Sequence, residues 1–130
     1  MHAEAEHPDK LLHRDVTEKI LGAAFEVRRH LGFGFLEKVY QRALQAELLL
    51  SGLCAEMERP IPVLYKGTNV GNYFADLFVE EKVIGEIKVA PAYDRRDEAQ
   101  LLNELKATGL RVGLLLNFGA GKLDFKRLVL

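Results

Sequence analysis

Three residues in the stretch YFADLFVEEKVIGEIKV, residues 73–89, carry chemistry that a plain β-hairpin does not need: Asp76, Glu86 and Lys88. Period-two alternation puts Ala75, Leu77 and Val79 on one face of the first strand, and Phe74, Asp76 and Phe78 on the other. In the second strand Val83, Gly85, Ile87 and Val89 share a face, and Ile84, Glu86 and Lys88 share the opposite one. A turn centred on Glu81 then sets Asp76 directly across from Glu86, where cross-strand Cβ atoms are only about 4.5–5.5 Å apart. Two carboxylates at that distance repel unless something compensates.

A divalent cation compensates best. Hard ions such as Mg²⁺ take carboxylate oxygens and keep waters and substrate phosphates as their other ligands. Asp76 and Glu86 are therefore candidate metal ligands, with the backbone carbonyl of Ile87 as a further oxygen. Lys88 adds a point charge able to stabilise a developing anion or orient a water. The set is equipped for metal-assisted phosphodiester hydrolysis, with Mg²⁺ as the expected ion and Mn²⁺ as its alternative. The spacing D-x9-E-x-K also suits the solvent-facing charges of an ordinary hairpin. Against that, these charges share their face with Phe74, Phe78 and Ile84.

The elements that must position these residues follow from the flanking patterns. From Asp15 a helix is predicted by Val16, Ile20, Ala23, Ala24, Val27 and Leu31 at three- and four-residue steps. Leu31-Gly32-Phe33-Gly34 supplies a bend. A second helix runs from about Phe35 to Ser51, its apolar face made by Leu36, Val39, Tyr40, Ala43 and Leu44. CAEMERPIPVLYKG reads as an edge or bent strand because of Pro60 and Pro62. After the hairpin and a polar connection, a third helix spans about Arg96 to Thr108 with Leu101, Leu102 and Leu105 as its buried stripe. RVGLLLNF is a continuous apolar run expected of a strand covered on both faces, and LDFKRLVL is a last strand. The order ααβββαββ implies an α/β chain with a mixed sheet flanked by helices.

At 130 residues the chain is most simply one domain, residues 13–130, behind a loose polar tail, residues 1–12. No apolar run is long enough to span a membrane, and the N-terminus lacks a signal-peptide core. With one cysteine, Cys54, there is no disulfide framework, and a cytoplasmic location is expected. Cys54 is expected to pack as a small hydrophobe. The net charge of −1 gives no overall basic signature for nucleic acid, although Arg28-Arg29-His30, Arg95-Arg96 and Lys126-Arg127 form local clusters. The four histidines show no metal-ligand spacing, and GFGFLE and GAGKL do not complete a P-loop.

Two further pieces stand beside the hairpin. Gly34-x-x-Glu37-x-x-Tyr40 opens the second helix, with Glu37 and Tyr40 on one face. Glu37 in the first turn also suits the helix dipole, and Tyr40 reads as core. Gln100 lies on the helix that follows Lys88 and is placed to reach back toward it.

LGFGFLEKVYQRAL, YFADLFVE, GEIKV and EAQLLNELKATGLRVGLLLNFG, in that order, resemble the GxxExxY proteins of the PD-(D/E)XK nuclease superfamily. The resemblance runs from about Leu12 to Leu130. It implies a restriction-endonuclease-like αβββαβ core and a nuclease site drawn from Glu37, Asp76, Glu86, Lys88 and Gln100, with Glu26 as an additional acid. It also implies nucleic acid, DNA first, as the partner, and an isologous homodimer would enlarge that surface. The sequence departs from the pattern at Glu104, where a tyrosine often follows the glutamine, and at Val89-Ala90-Pro91, which lacks an acid after the lysine. Two functions follow: Mg²⁺-dependent hydrolysis of DNA, or a nuclease-fold module that binds nucleic acid or a protein partner without cutting.

Overall fold

The computed structural model describes residues 12–119 and 121–130, so the expected tail lies, apart from Leu12, outside the described residues. The elements are α1 (Arg14–Leu31), α2 (Glu37–Leu50), β1 (Ala55–Tyr65), β2 (Thr68–Val79), β3 (Val83–Lys88), α3 (Arg95–Thr108), β4 (Val112–Asn117) and β5 (Asp124–Val129). They form one five-stranded sheet in the order β1-β2-β3-β4-β5. All neighbours are antiparallel except β3 and β4, which run parallel. A parallel pair needs a crossover, and α3 provides it.

Each face of the sheet has its own apolar core. On one face Ile20 and Ala24 of α1, with Tyr40, Leu44 and Leu48 of α2, pack on Leu77, Val83, Ile87 and Leu114. On the other, Leu101 and Leu105 of α3 pack on Ile61, Ala75, Phe78, Ile84 and Leu115. Covered from both sides, β4 is buried at every residue, which accounts for its continuous apolar run. The chain is thus α/β, with a mixed sheet between helices. α3 starts at a capping box: Asp94 accepts the Arg96 N–H at 2.9 Å, and Asp97 accepts the Asp94 N–H at 3.2 Å.

Four local expectations are corrected. Leu36 (77 % exposed), which caps the start of α2, and Val39 face solvent, while Gln41 is buried with Tyr40 and Leu44. Gln41 tolerates burial because its amide donates to the Asp76 carbonyl at 2.9 Å and to Glu58 at 3.3 Å. On α3, Leu102 is half-buried and Glu104 is fully buried in its stead. Cys54 is exposed: its backbone pairs with Glu80 on both sides, while the preceding Leu53 provides the burial.

The fourth correction concerns the strand that bears Asp76. Ala75 packs with Phe78 and Ile84, and Phe74 is exposed, so the alternation drawn from the sequence fails across Asp76. β1 pairs with β2 through Met57↔Leu77 and resumes at Arg59↔Ala75, leaving Glu58 and Asp76 out of the ladder. Glu58 holds a left-handed backbone, φ 57. That conformation twists the strand pair, and side chains beyond it exchange faces.

Candidate active site

The β2–β3 register runs Val79↔Val83, Phe78↔Ile84 and Leu77↔Gly85. One step further it leads to Asp76 and Glu86, the pair that the hairpin spacing sets opposite each other. There the backbone ladder stops and the side chains replace it. Glu86 Oε2 accepts the Asp76 N–H at 3.1 Å, and Asp76 Oδ2 accepts the Ile87 N–H at 2.8 Å. Each carboxylate is thereby fixed by the other strand's backbone, and Glu86 is only 3 % exposed.

α2 and α3 bring the other groups. Glu37, in the first turn of α2, is exposed but near enough to Asp76, Lys88, Lys38 and Asp97 to feel their charges. Its pKa is raised, first by restricted hydration and then by Asp76. One turn on, Gln41 clamps the Asp76 carbonyl, and Lys38 pairs with Glu58. From α3, Asp97 Oδ1 lies 3.5 Å from the Lys88 ammonium. Gln100 does not reach toward open solvent: its Nε2 donates to Glu104 Oε2 at 3.0 Å. Glu26 stands apart, on α1, where both its oxygens accept from Arg29 at 2.8 Å. Tyr40 is core, as its spacing suggested. Its hydroxyl donates to the Gly32 carbonyl at 2.8 Å and its ring stacks on Phe118 at 4.6 Å.

The electrostatics follow from burial. Glu86 is pushed up to about 10, by burial first and then by the Asp76 and Glu104 carboxylates. Burial also raises Asp76, against the pull of the Ile87 N–H. Glu104 is raised by burial too. Lys88 feels burial in the opposite sense, but Asp97, Glu86, Glu37 and Asp76 more than offset it and hold the ammonium charged. Burial thus raises the proton affinity of all three acids, and the oxygen-rich donor set suits Mg²⁺ or Mn²⁺. Among the described residues no three His, Cys, Asp or Glu side chains form a ready-made cage. A two-carboxylate site completed by water and phosphate is the form the donors fit.

Sequence reasoning missed three participants: Gln41, Asp97 and the depth of Glu104. Gln41 was detectable as a glutamine four residues after Glu37 on the same helical face. Asp97 carried the signal of a capping box, D-x-x-D.

Residues 14–128 match the family model of the PD-(D/E)XK nuclease superfamily. The chain belongs to this superfamily. No curated protein and no solved structure gives a significant match. The candidate site carries an acid, Asp76, and an E-x-K run, Glu86-Ile87-Lys88. As a PD-(D/E)XK protein it is nuclease-like, in a superfamily whose nucleases work on nucleic acid with divalent metals. No helix among the described residues is long and apolar enough to cross a membrane. A groove of about 550 Å³ lies elsewhere, between the outer parts of β1 and β2 and α3, lined by Pro62, Leu64, Tyr73, Asn103 and Lys106. It gathers no pair of acids or bases suited to hydrolysis, so the chemistry is sought at the carboxylates.

Proposed function

We propose that the chain is a nuclease of the GxxExxY type that hydrolyses phosphodiester bonds of DNA with Mg²⁺, accepting Mn²⁺. One observation carries the reading: half-buried Asp76 and buried Glu86 stand opposed, each hydrogen-bonded to the facing strand. Opposed buried carboxylates are costly unless a positive charge joins them. Asp76, Glu86 and the Ile87 carbonyl would hold the ion, whose chemistry when bound is to acidify a water and neutralise phosphate charge.

The chain's own groups do the rest. Lys88, charged and steadied by Asp97, donates to a phosphate oxygen or orients the attacking water. Glu37, at the solvent side of the cluster with its affinity for protons raised, accepts a hydrogen bond from that water. Gln100 acts through Glu104, whose carboxylate it holds. Gln41 fixes the backbone that carries Asp76. The test is cleavage of labelled single- and double-stranded DNA, with RNA alongside, in Mg²⁺, Mn²⁺ or EDTA. Metal-dependent cutting of DNA is expected; intact substrates in both metals contradict the reading.

A second reading, a nuclease-fold module that binds nucleic acid or a protein partner without cutting, draws on Lys88. Four carboxylates already compete for its ammonium, leaving less of its charge for phosphate. On that reading DNA is retained in EDTA and stays intact when metal is added.

A further inference from the structure

Glu104 is buried completely, on α3 one turn after Gln100. Gln100 Nε2 donates to its Oε2 at 3.0 Å. The other oxygen, Oε1, is buried without a hydrogen-bond donor in reach. The Glu104 and Glu86 carboxyls lie close enough to act on each other, Glu104 adding to the rise in the proton affinity of Glu86. Two acidic groups buried together there need a proton or a cation between them. Lys88, the cation acting on Glu104, is itself ion-paired with Asp97.

We infer that Glu104 is a further cation ligand of this site, taking a hard divalent ion jointly with Glu86 through its free Oε1. The inference rests on the reading of Asp76 and Glu86 as metal ligands. It gives Gln100 a positioning role, since its amide fixes one Glu104 oxygen and leaves the other for the ion. The ion bridges the Glu86–Glu104 pair and does not need a preformed cage of three acids. Each added carboxylate raises divalent-ion affinity through charge count.

The test is titration of the full chain with Mn²⁺, the free ion read by electron paramagnetic resonance, in wild type, Glu104→Gln and Asp76→Asn. Glu104→Gln is expected to weaken Mn²⁺ binding about tenfold or more, and to shrink the Mn²⁺-induced rise in melting temperature with it. Metal-free Glu104→Gln should melt at or above wild type, because it removes one of the two acids buried together. Affinity equal to wild type in Glu104→Gln overturns the inference. If that variant fails to fold, Glu104→Asp, which keeps the charge and withdraws it by one methylene, carries the same expectation and the same overturning result. Binding that depends on Asp76 but not on Glu104 overturns this inference and leaves the proposed function standing. Glu104-dependent binding with no DNA cleavage upholds it and removes the nuclease activity. A wild-type chain that binds no Mn²⁺ overturns both.

Discussion

The Asp76 N–H donates to the Glu86 carboxylate at 3.1 Å, and with that bond the β2–β3 ladder ends one residue short of where its register leads. The return bond, Ile87 N–H to Asp76 Oδ2 at 2.8 Å, makes the exchange reciprocal. Two acidic side chains do the work of backbone acceptors, so the sheet itself fixes their positions. The price is the burial of charge that a proton or a cation must neutralise. Function and instability share one origin here.

That origin gives a pH dependence. In the metal-free chain Glu86 is held protonated up to about 10 against an ordinary value of 4.5. Below the ordinary value the group is protonated whether folded or unfolded and contributes full stability. As pH rises beyond it, the unfolded chain binds fewer protons than the folded one, so stability falls until the folded group ionises too. Asp76 and Glu104, also raised, add in the same direction. Melting temperature in EDTA should therefore decline between about pH 5 and pH 9, and Glu86→Gln should flatten the decline. Mg²⁺ or Mn²⁺ should stabilise most at the alkaline end, where the ligands ionise. A wild-type profile that rises over this range refutes the account.

Tyr40 ties the Gly32–Leu36 bend to the core. Its hydroxyl donates to Gly32 O at 2.8 Å, and its ring lies between Phe35 and Phe118. Tyr40→Phe keeps the stacking and orphans a carbonyl, at an expected cost of about 1–2 kcal/mol. Tyr40→Ala removes the ring as well and should cost about 3–5 kcal/mol, read by urea denaturation.

Gln41 offers a separable effect on the site. Gln41→Leu leaves the Asp76 carbonyl without its side-chain donor and should cost about 1 kcal/mol, with a fall in cleavage greater than that loss explains. Lys38→Met breaks only the half-exposed pair with Glu58 and should move stability by less than about 1 kcal/mol. Equal cleavage by Gln41→Leu and wild type would remove Gln41 from the site.

The end of β3 depends on Asn117 and Gly119. Buried Asn117 accepts from Ala90 N at 3.1 Å and Gly119 N at 2.9 Å, and donates to Ala90 O at 2.9 Å. Asn117→Leu should cost at least about 2 kcal/mol by stranding these groups. A Cβ at Gly119 would lie 2.3 Å from the Ala90 backbone nitrogen, whereas one at Gly113 meets only the Leu101 side chain, at 2.8 Å. Gly119→Ala should therefore destabilise more than Gly113→Ala, in chemical denaturation of both.

Much of this was legible from local pattern. The turn at Glu81 set the hairpin register, so the opposition of Asp76 and Glu86 followed from counting residues. The order of elements followed from periodicity and from Gly and Pro. What stayed hidden depends on a second strand or helix. The face exchange at Asp76 arises from the left-handed backbone of Glu58, on β1, which alternation within β2 cannot reveal. Gln41 and Glu104 look like solvent-facing residues until their partners, the Asp76 carbonyl and the Glu86 carboxyl, come into contact with them. Leu36 and Val39 mislead in the opposite direction: their spacing fits a core stripe, yet α2 turns them outward so that Gln41 can face Asp76.

The most direct test of the central claim is the DNA cleavage rate in saturating Mg²⁺ or Mn²⁺ for wild type, Asp76→Ala and Lys88→Ala, each shown to be folded. The account predicts cutting by wild type that EDTA abolishes, and a loss of about 100- to 1,000-fold or more in each variant. Wild type that leaves DNA intact with either metal, or variants that cut as fast as wild type, would contradict it.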